Sequence, residues 1–547
     1  MKKNIFSSVA ANHPSLNHFD LSYTNTGTYS FGYLYPVQCD EVYPGDVFKM
    51  SAYVHAELMP MLAPVMSDIQ IFAHVFFCPF RLLYGVDNAD GASIWEKFIT
   101  GGKDGDYETP LPSWSPTFSK VGFSSKTIWD SIGLPMSYDK DTNTWTPVVP
   151  DTTRIAVSVA PRLAYNSIWN SFYRDESLQD EVALSNEDLL QVSFKKDYFT
   201  SALTAQQRGT APALPVDISG IAPVVFASDG IGSNNPLQLN PTTAIWAKFG
   251  SDESGKFGIS NTTIDSDPSY TSAAFFKGSV SGSSFQANTF NVSDLRLTFA
   301  IQRMLELNMT GGYRYTEWLH AHYGVNPTDA RLDRPEYIGG ALIPITVSPV
   351  IQTSATAESP DAAKTPQGNK SAVGQVDTIQ KLGNYRCLEH GVIMTLISIR
   401  PKPIYSQGVN RQWLRQTRFD YYSPELAYLS EQGVYKCELY ADGLSDASGD
   451  ADIFGYQAHW NEMRCKNNMI SGAVREQFNY WVLDRKFDSR PALNADFIKI
   501  NPDDFNKIFE VQDEDPFVIS WSNIIDAYRP IPAVGVPGLI DHVYGGR

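Results

Sequence analysis

The sequence predicts an all-β core: an antiparallel sandwich with enlarged loops and a few short helices. Three observations predict it. Strong two-residue hydrophobic alternation recurs in short runs, which is the mark of strands with one dry face. Aromatic residues (28 Tyr, 30 Phe, 11 Trp) are plentiful, and 34 Pro and 38 Gly are scattered along the whole 547-residue chain. Rings suit pleated surfaces, and dispersed Pro and Gly suit many turns. Finally, the strand candidates lie tens to hundreds of residues apart, unlike the regular strand–helix alternation of a parallel α/β sheet.

The clearest strand is Phe48–Leu58, where Phe48, Met50, Ala52, Val54, Ala56 and Leu58 alternate with Lys49, Ser51, Tyr53, His55 and Glu57. Pro44-Gly45-Asp46 supplies the turn before it, since Pro sets φ and Gly admits a positive φ. A second strand places Ile69, Ile71, Ala73, Val75 and Phe77 on one face and ends at Pro79. Further strands are expected at Ile155–Val159, Ala341–Val347, Val392–Ile399 and Val434–Leu439. The run Val392–Ile399 is apolar at nearly every position, as a strand covered on both faces would be. Helices are expected where Leu297, Ile301, Met304, Leu305 and Met309 share a face, at Thr316–Tyr323, and through Val474, Phe478, Trp481, Val482 and Arg485.

Two stretches differ in composition. Residues 206–292 are rich in small polar residues and carry four basic and six acidic side chains. They read as a surface insertion with local strands. Residues 352–383 are polar and Gly-bearing and read as an exposed loop or arm.

The formal charge of -17 argues against a surface that grips nucleic acid all over, because phosphate binding is mainly electrostatic. Any enclosed nucleic acid needs a local basic patch or a separate basic molecule. Cys39, Cys78, Cys387, Cys437 and Cys465 are odd in number and show no C-x-x-C spacing, so reduced and mostly buried thiols are expected. Ile5–Ala11 holds two serines and makes a poor signal-peptide core, and no apolar run reaches the ~20 residues of a membrane span, so a soluble chain without membrane insertion is expected.

No G-x-S-x-G, H-E-x-x-H or P-loop pattern occurs, so the common hydrolase, zincin and phosphate-loop chemistries lose support. His320 and His322 would point to different faces of a helix, and Glu317 with His320 makes one lone Glu-x-x-His, so no metal site is expected there. Asp513-Glu514-Asp515 reads as a solvated acidic turn, with calcium as its alternative. No catalytic residue and no cofactor are expected. One segment stands out: Arg400, Lys402, Arg411, Arg415 and Arg418 occur with no acidic residue between Arg400 and Phe419, interleaved with Tyr405, Trp413 and Phe419. Cations with rings fit a single-stranded nucleic-acid surface. Arginines that bridge neighbouring subunits through carboxylates are the other reading.

Several stretches, in order along the chain, resemble the major capsid proteins of Microviridae bacteriophages, on the gokushovirus side. They are Gly32-Tyr33-Leu34-Tyr35-Pro36 leading to Glu41-Val42-Tyr43-Pro44-Gly45-Asp46; Gly311–Glu317; His322–Val325; Asp329–Gly340; Thr365–Asn369; and Phe454–Gln457 with Trp460 and Arg464. The resemblance implies a single eight-stranded antiparallel jelly roll with long inserted loops, and self-assembly through pentameric intermediates into a simple icosahedral (T=1) shell around circular single-stranded DNA. It further implies an internal scaffolding protein, a DNA pilot protein and a small basic DNA-binding protein as partners. By the same resemblance, 206–292 forms a protrusion around the threefold axes, a site for a host receptor. The chain would then be made and assembled in the bacterial cytoplasm and reside in the virion. A carbohydrate-binding or carbohydrate-active β-sandwich is the alternative from another class.

Overall fold

The computed structural model describes residues 16–85, 93–100, 111–114, 127–134, 157–209, 333–354, 367–442, 453–512 and 514–534. It also describes short stretches at 136–139, 144–147, 227–228, 247–251, 257–261, 274–277, 298–299, 301–303 and 305–306. The chain forms two compact units, residues 1–208 with 307–547, and residues 209–306.

The first unit is built on one antiparallel sheet of nine strands. These are β1 (Asn17–Asp20), β2 (Tyr23–Tyr29), β3 (Tyr35–Val42), β4 (Val47–Leu58) and β5 (Ile69–Pro79), then β6 (Glu336–Ile351), β7 (Lys370–Arg386), β8 (Gly391–Pro401) and β9 (Phe517–Arg529). Their spatial order is β1–β9–β4–β7–β6–β5–β8–β3, with β2 also on β9. Strand β6 is the seam: Glu336–Ile345 pair with β5, whereas Thr346–Ile351 pair with β7. This change of partner along one strand curls the sheet around its own apolar face.

That face follows from the two-residue alternation. In β4 every even position from Phe48 to Leu58 is buried. In β9 Phe517, Ile519, Trp521, Ile525 and Ala527 point the same way. The one polar intruder, Asn523, is satisfied: it accepts from Trp521 Nε1 at 2.9 Å and donates to the Val37 carbonyl at 3.1 Å. Strand β8 is buried on both faces, as its unbroken apolar run predicts, because helix Ala160–Ile168 packs on its outer side. Tyr165 anchors that helix by donating to the Leu34 carbonyl at 2.8 Å and accepting from Leu190 N at 2.9 Å.

The turn Pro44-Gly45-Asp46 does more than reverse the chain. Gly45 has φ +98, and the fully buried Asp46 carboxylate accepts from Tyr43 N at 3.0 Å. It also sits 3.2 Å from Arg529 Nε at the end of β9. The turn thereby ties the start of β4 to the last strand.

Three expectations need correction. Residues 355–366 lie outside the described residues, and the segment 352–383 is not loop throughout, because its last part belongs to β7 (Lys370–Arg386). Its inward residues Ala372, Gly374, Val376 and Leu382 are mostly small, since Gly374 lies where a Cβ would come 2.7 Å from Leu58 Cδ2. The strand expected at Val434–Leu439 stops at Tyr435 and becomes a 3-10 turn over Lys436–Glu438. The turn aims Glu438 inward at Arg411 and closes with Leu439 N donating to the Lys436 carbonyl at 3.0 Å. The helix expected through Val474–Arg485 is two 3-10 turns, Gly472–Arg475 and Asn479–Trp481. The backbone groups a helix would pair internally bond elsewhere: Met66 N donates to the Trp481 carbonyl at 2.8 Å, and Leu483 N to Ser67 Oγ at 2.9 Å.

Strand Val157–Ser158 is the described part of the run Ile155–Val159. Residues 298–299, 301–303 and 305–306 are helical, within the run Leu297–Met309. The Thr316–Tyr323 segment with Glu317, His320 and His322 lies outside the described residues, as do residues 1–15 and Asp513. No disulfide joins the cysteines: Cys78, Cys387 and Cys437 are buried, Cys39 is half-buried and Cys465 is exposed.

Within residues 209–306, four short strands form an antiparallel sheet in the order Ala227–Ser228, Ala274–Lys277, Phe257–Asn261, Ala247–Ser251.

Candidate interaction surface

After β8 the chain enters a long connection, residues 402–516, before returning as β9. Its base is anchored by Ile404–Tyr405, which pairs in parallel with Asp484–Arg485. The hairpin Glu431–Tyr435 with Ile453–Ala458 adds to it. A second apolar cluster fills the space beneath, with Tyr198, Phe199, Val434, Leu439, Phe454, Phe497 and Ile498. On this base the segment 408–430 runs as successive 3-10 turns. Asn410 starts the first, its side chain accepting from Gln412 N at 3.1 Å. Asp420 accepts from Gln416 N and Thr417 N at 2.9 and 2.7 Å to hold the second, and Pro424 opens the third. Short turns bury little, so the rings of this segment stay outside: Trp413, Phe419, Tyr421, Tyr422 and Tyr428 are exposed.

The cations have different fates. Arg400 belongs to the sheet: its guanidinium lies 4.7 Å from the Phe72 ring centre and 5.8 Å from that of Tyr173, and Nε donates to Ser398 Oγ at 2.9 Å. Burial pulls its pKa below the ordinary arginine value. Lys402 is exposed and lies 3.8 Å from Asp68. Arg411 donates from Nη1 to Glu438 Oε1 at 3.0 Å and to the Gly433 carbonyl at 2.6 Å, with its guanidinium 4.8 Å from the Tyr435 ring centre. Arg415 donates to Glu462 Oε1 at 3.2 Å, and the other oxygen of Glu462 accepts from Gln432 at 2.6 Å. Arg418 lies 4.8 Å from the ring centre of Phe419 beside it.

The carboxylates Glu438 and Glu462 are the charge partners that sequence reasoning missed. Glu438 also accepts from Tyr435 N at 3.0 Å and from the Tyr198 hydroxyl at 3.2 Å. Burial pushes its pKa upward, and Arg411 opposes that shift. The fold thus brings Arg411 and Trp413 to one cavity of about 320 Å³ with Glu438 and Glu462, while Arg400 lies apart in the sheet. Both Arg411 and Arg415 receive their carboxylates from their own chain. Among the described residues no group of three or more His, Cys, Asp or Glu is placed to hold a metal ion.

Chemically, this is a surface of exposed rings over arginines that are neutralised within the chain. The chain is 30% identical to capsid protein VP1 of Chlamydia phage 1, over 98% of both chains. It is 29% identical to capsid protein VP1 of Bdellovibrio phage phiMH2K, over 97% of both. Against capsid protein VP1 of Spiroplasma virus 4 it is 28% identical, over 98% of this chain and 97% of the relative. These relatives leave the carbohydrate-binding alternative unfavoured. The family described as "Capsid protein (F protein)" matches residues 7–539, and the chain therefore belongs to that family of bacteriophage coat proteins, with the structural role of a major capsid protein.

Proposed function

We propose that many copies of this chain close into a simple icosahedral shell around a circular single-stranded DNA genome, without catalytic activity. The observation that carries this reading is the strand order. Strands β2–β9–β4–β7 and β6–β5–β8–β3 make two four-stranded leaves joined at β6, which we read as one eight-stranded jelly roll with β1 as an added edge segment. In this reading its two long connections, between β5 and β6 and between β8 and β9, supply the contacts between copies. Such insertions are tolerated because loop-closure entropy rises by only about 0.6 kcal/mol per doubling of length.

Residues 206–292 serve in this reading as an outward protrusion that meets a host receptor. The acidic chain leaves much of the phosphate charge to a small basic protein packaged with the DNA. A scaffolding protein and a DNA pilot protein complete the assembly, through pentamers, in the bacterial cytoplasm. In the stretch that begins at Arg400, the cations left for a phosphate without breaking a buried pair are Lys402 and Arg418.

Purified particles treated with nuclease provide the test. Protected circular single-stranded DNA is expected inside closed shells. Particles that hold only double-stranded DNA, or none after growth in a productive host, would overturn the cargo.

A further inference from the structure

The ring-bearing segment has a second property that its charge pattern conceals. Trp413 borders the 320 Å³ cavity together with Met469 and Ile470. Met469 and Ile470 also border an adjoining cavity of about 700 Å³ with Met66, Phe478 and Trp481. Met66, Met469 and Phe478 are themselves exposed. Exposed apolar residues therefore border both cavities, from Met66 and Phe478 through Met469 to Trp413, among polar neighbours such as Lys466, Asn468 and Arg475, and the turns of residues 413–429 carry further exposed rings.

Its size and charge point to one kind of partner. Trp413, Phe419, Tyr421, Tyr422 and Tyr428 are exposed by 73%, 63%, 57%, 49% and 99%. At about 150–250 Å² per ring they present on the order of 700 Å². One side of an ordinary protein–protein interface buries about 800 Å². So much exposed ring surface within one short segment is uncommon on a protein that acts alone. Charge separates a protein partner from a nucleic acid. A phosphate surface needs cations that lack partners. Here Arg411 and Arg415 are neutralised by Glu438 and Glu462, Lys402 lies 3.8 Å from Asp68, and the remaining cations, Arg418 on the turns with Lys466 and Arg475 beside the cavity, are set against Asp420 and Glu425 in the same turns. What remains is a nearly neutral surface of Trp and Tyr, the residue types that dominate binding energy between proteins. Methionines at its other end can adjust to an opposing surface.

We infer that this surface, from Met66 and Met469 to Trp413 and the Phe419–Tyr428 turns, is where a second copy of the chain docks. The inference rests on the shell-forming reading above. The buried pairs act as its foundation: they hold the turns from beneath so that the rings are presented without being spent on the chain's own core.

The test compares the full chain with its Trp413→Ala, Tyr428→Ala variant by sedimentation across a concentration series, with the DNA content of any shells measured in parallel. Both rings lie outside the core, so an unchanged thermal midpoint is expected of the variant. If the pair yields no folded protein, Tyr428→Ala alone is compared instead. Assembly of the variant is expected to need at least tenfold more protein. Assembly at the unmodified concentration overturns the inference. Shells that form normally but retain less DNA would overturn it too, and would give the surface to nucleic acid. If the unmodified chain itself never associates, the shell-forming role falls as well, a result distinct from failure of this surface alone.

Discussion

Replacing Arg411 by Met separates a structural arginine from a genome-binding one. In the folded chain the Glu438 side chain is only 3% exposed, and Arg411 supplies its charge partner at 3.0 Å. Removing the cation leaves a buried carboxylate with two neutral donors, Tyr435 N and the Tyr198 hydroxyl. Breaking one side of a buried pair costs about 3–5 kcal/mol, because the remaining charge is stranded away from water. The Gly433 carbonyl loses a donor at the same time, adding about 1 kcal/mol. Arg411→Met is therefore expected to lower the urea midpoint and to speed amide exchange across Glu431–Leu439. Acid should shrink the defect. Burial already raises the pKa of Glu438, and loss of Arg411 raises it further, so falling pH protonates the stranded group and relieves it. The double variant Arg411→Met, Glu438→Gln should recover more than half of the loss, giving a large coupling energy in a double-mutant cycle. A loss below about 1 kcal/mol for Arg411→Met, or additive effects in the cycle, would refute the buried-pair account.

Other expectations follow from the same geometry. Burial beside Arg400 lowers the pKa of His74 from 6.5 to about 4, so the ring stays neutral in the fold while the unfolded chain takes up its proton below pH 6.5. Its contribution is complete above pH 6.5 and declines as pH falls toward 4, by roughly 1.4 kcal/mol per pH unit and about 3 kcal/mol in all. His74→Gln should show a correspondingly flatter loss of stability over that window; parallel curves would contradict it. Asp46→Ala strands Arg529 and leaves Tyr43 N without its acceptor, and should cost about 3 kcal/mol in urea unfolding; a near-neutral result would show that the turn does not anchor β9. In Gly408→Ala the new Cβ would fall 1.8 Å from the Glu438 carbonyl oxygen. That contact is with backbone, so the variant should lose more than about 2 kcal/mol, and an unchanged midpoint would show the close approach to be slack.

The parts of the fold that were legible in the sequence are those where large apolar residues occupy every second position. Strands β4 and β5 and the doubly covered β8 announce themselves in this way. Strand β7 does not, because its inward series mixes the small Ala372 and Gly374 with Val376 and Leu382, and at Gly374 a Cβ would come 2.7 Å from Leu58 Cδ2. Strand β9 carried a readable pattern in Phe517, Ile519, Trp521, Ile525 and Ala527, interrupted at Asn523. Only the folded chain shows that Trp521 and Val37 satisfy that residue.

The candidate surface divides in the same way. Rings and cations crowded into Arg400–Phe419 were visible because they are neighbours in sequence. Their neutralising carboxylates were not, since Glu438 lies 27 residues from Arg411 and Glu462 lies 47 from Arg415. Nothing in Val434–Leu439 distinguishes a strand from a strand that ends in an inward-turning glutamate. The apolar spacing of Val474–Arg485 is helical, yet backbone bonds to Met66 and Ser67 hold it in separate turns.

An electron-microscopic reconstruction of particles formed by the full-length chain tests the central claim most directly. Closed icosahedral shells are expected, each subunit built on the curled sheet, with the 413–429 turns pressed against a neighbouring copy. A chain that remains single at every concentration and in its native host, or shells in which those rings face open solvent, would contradict the account.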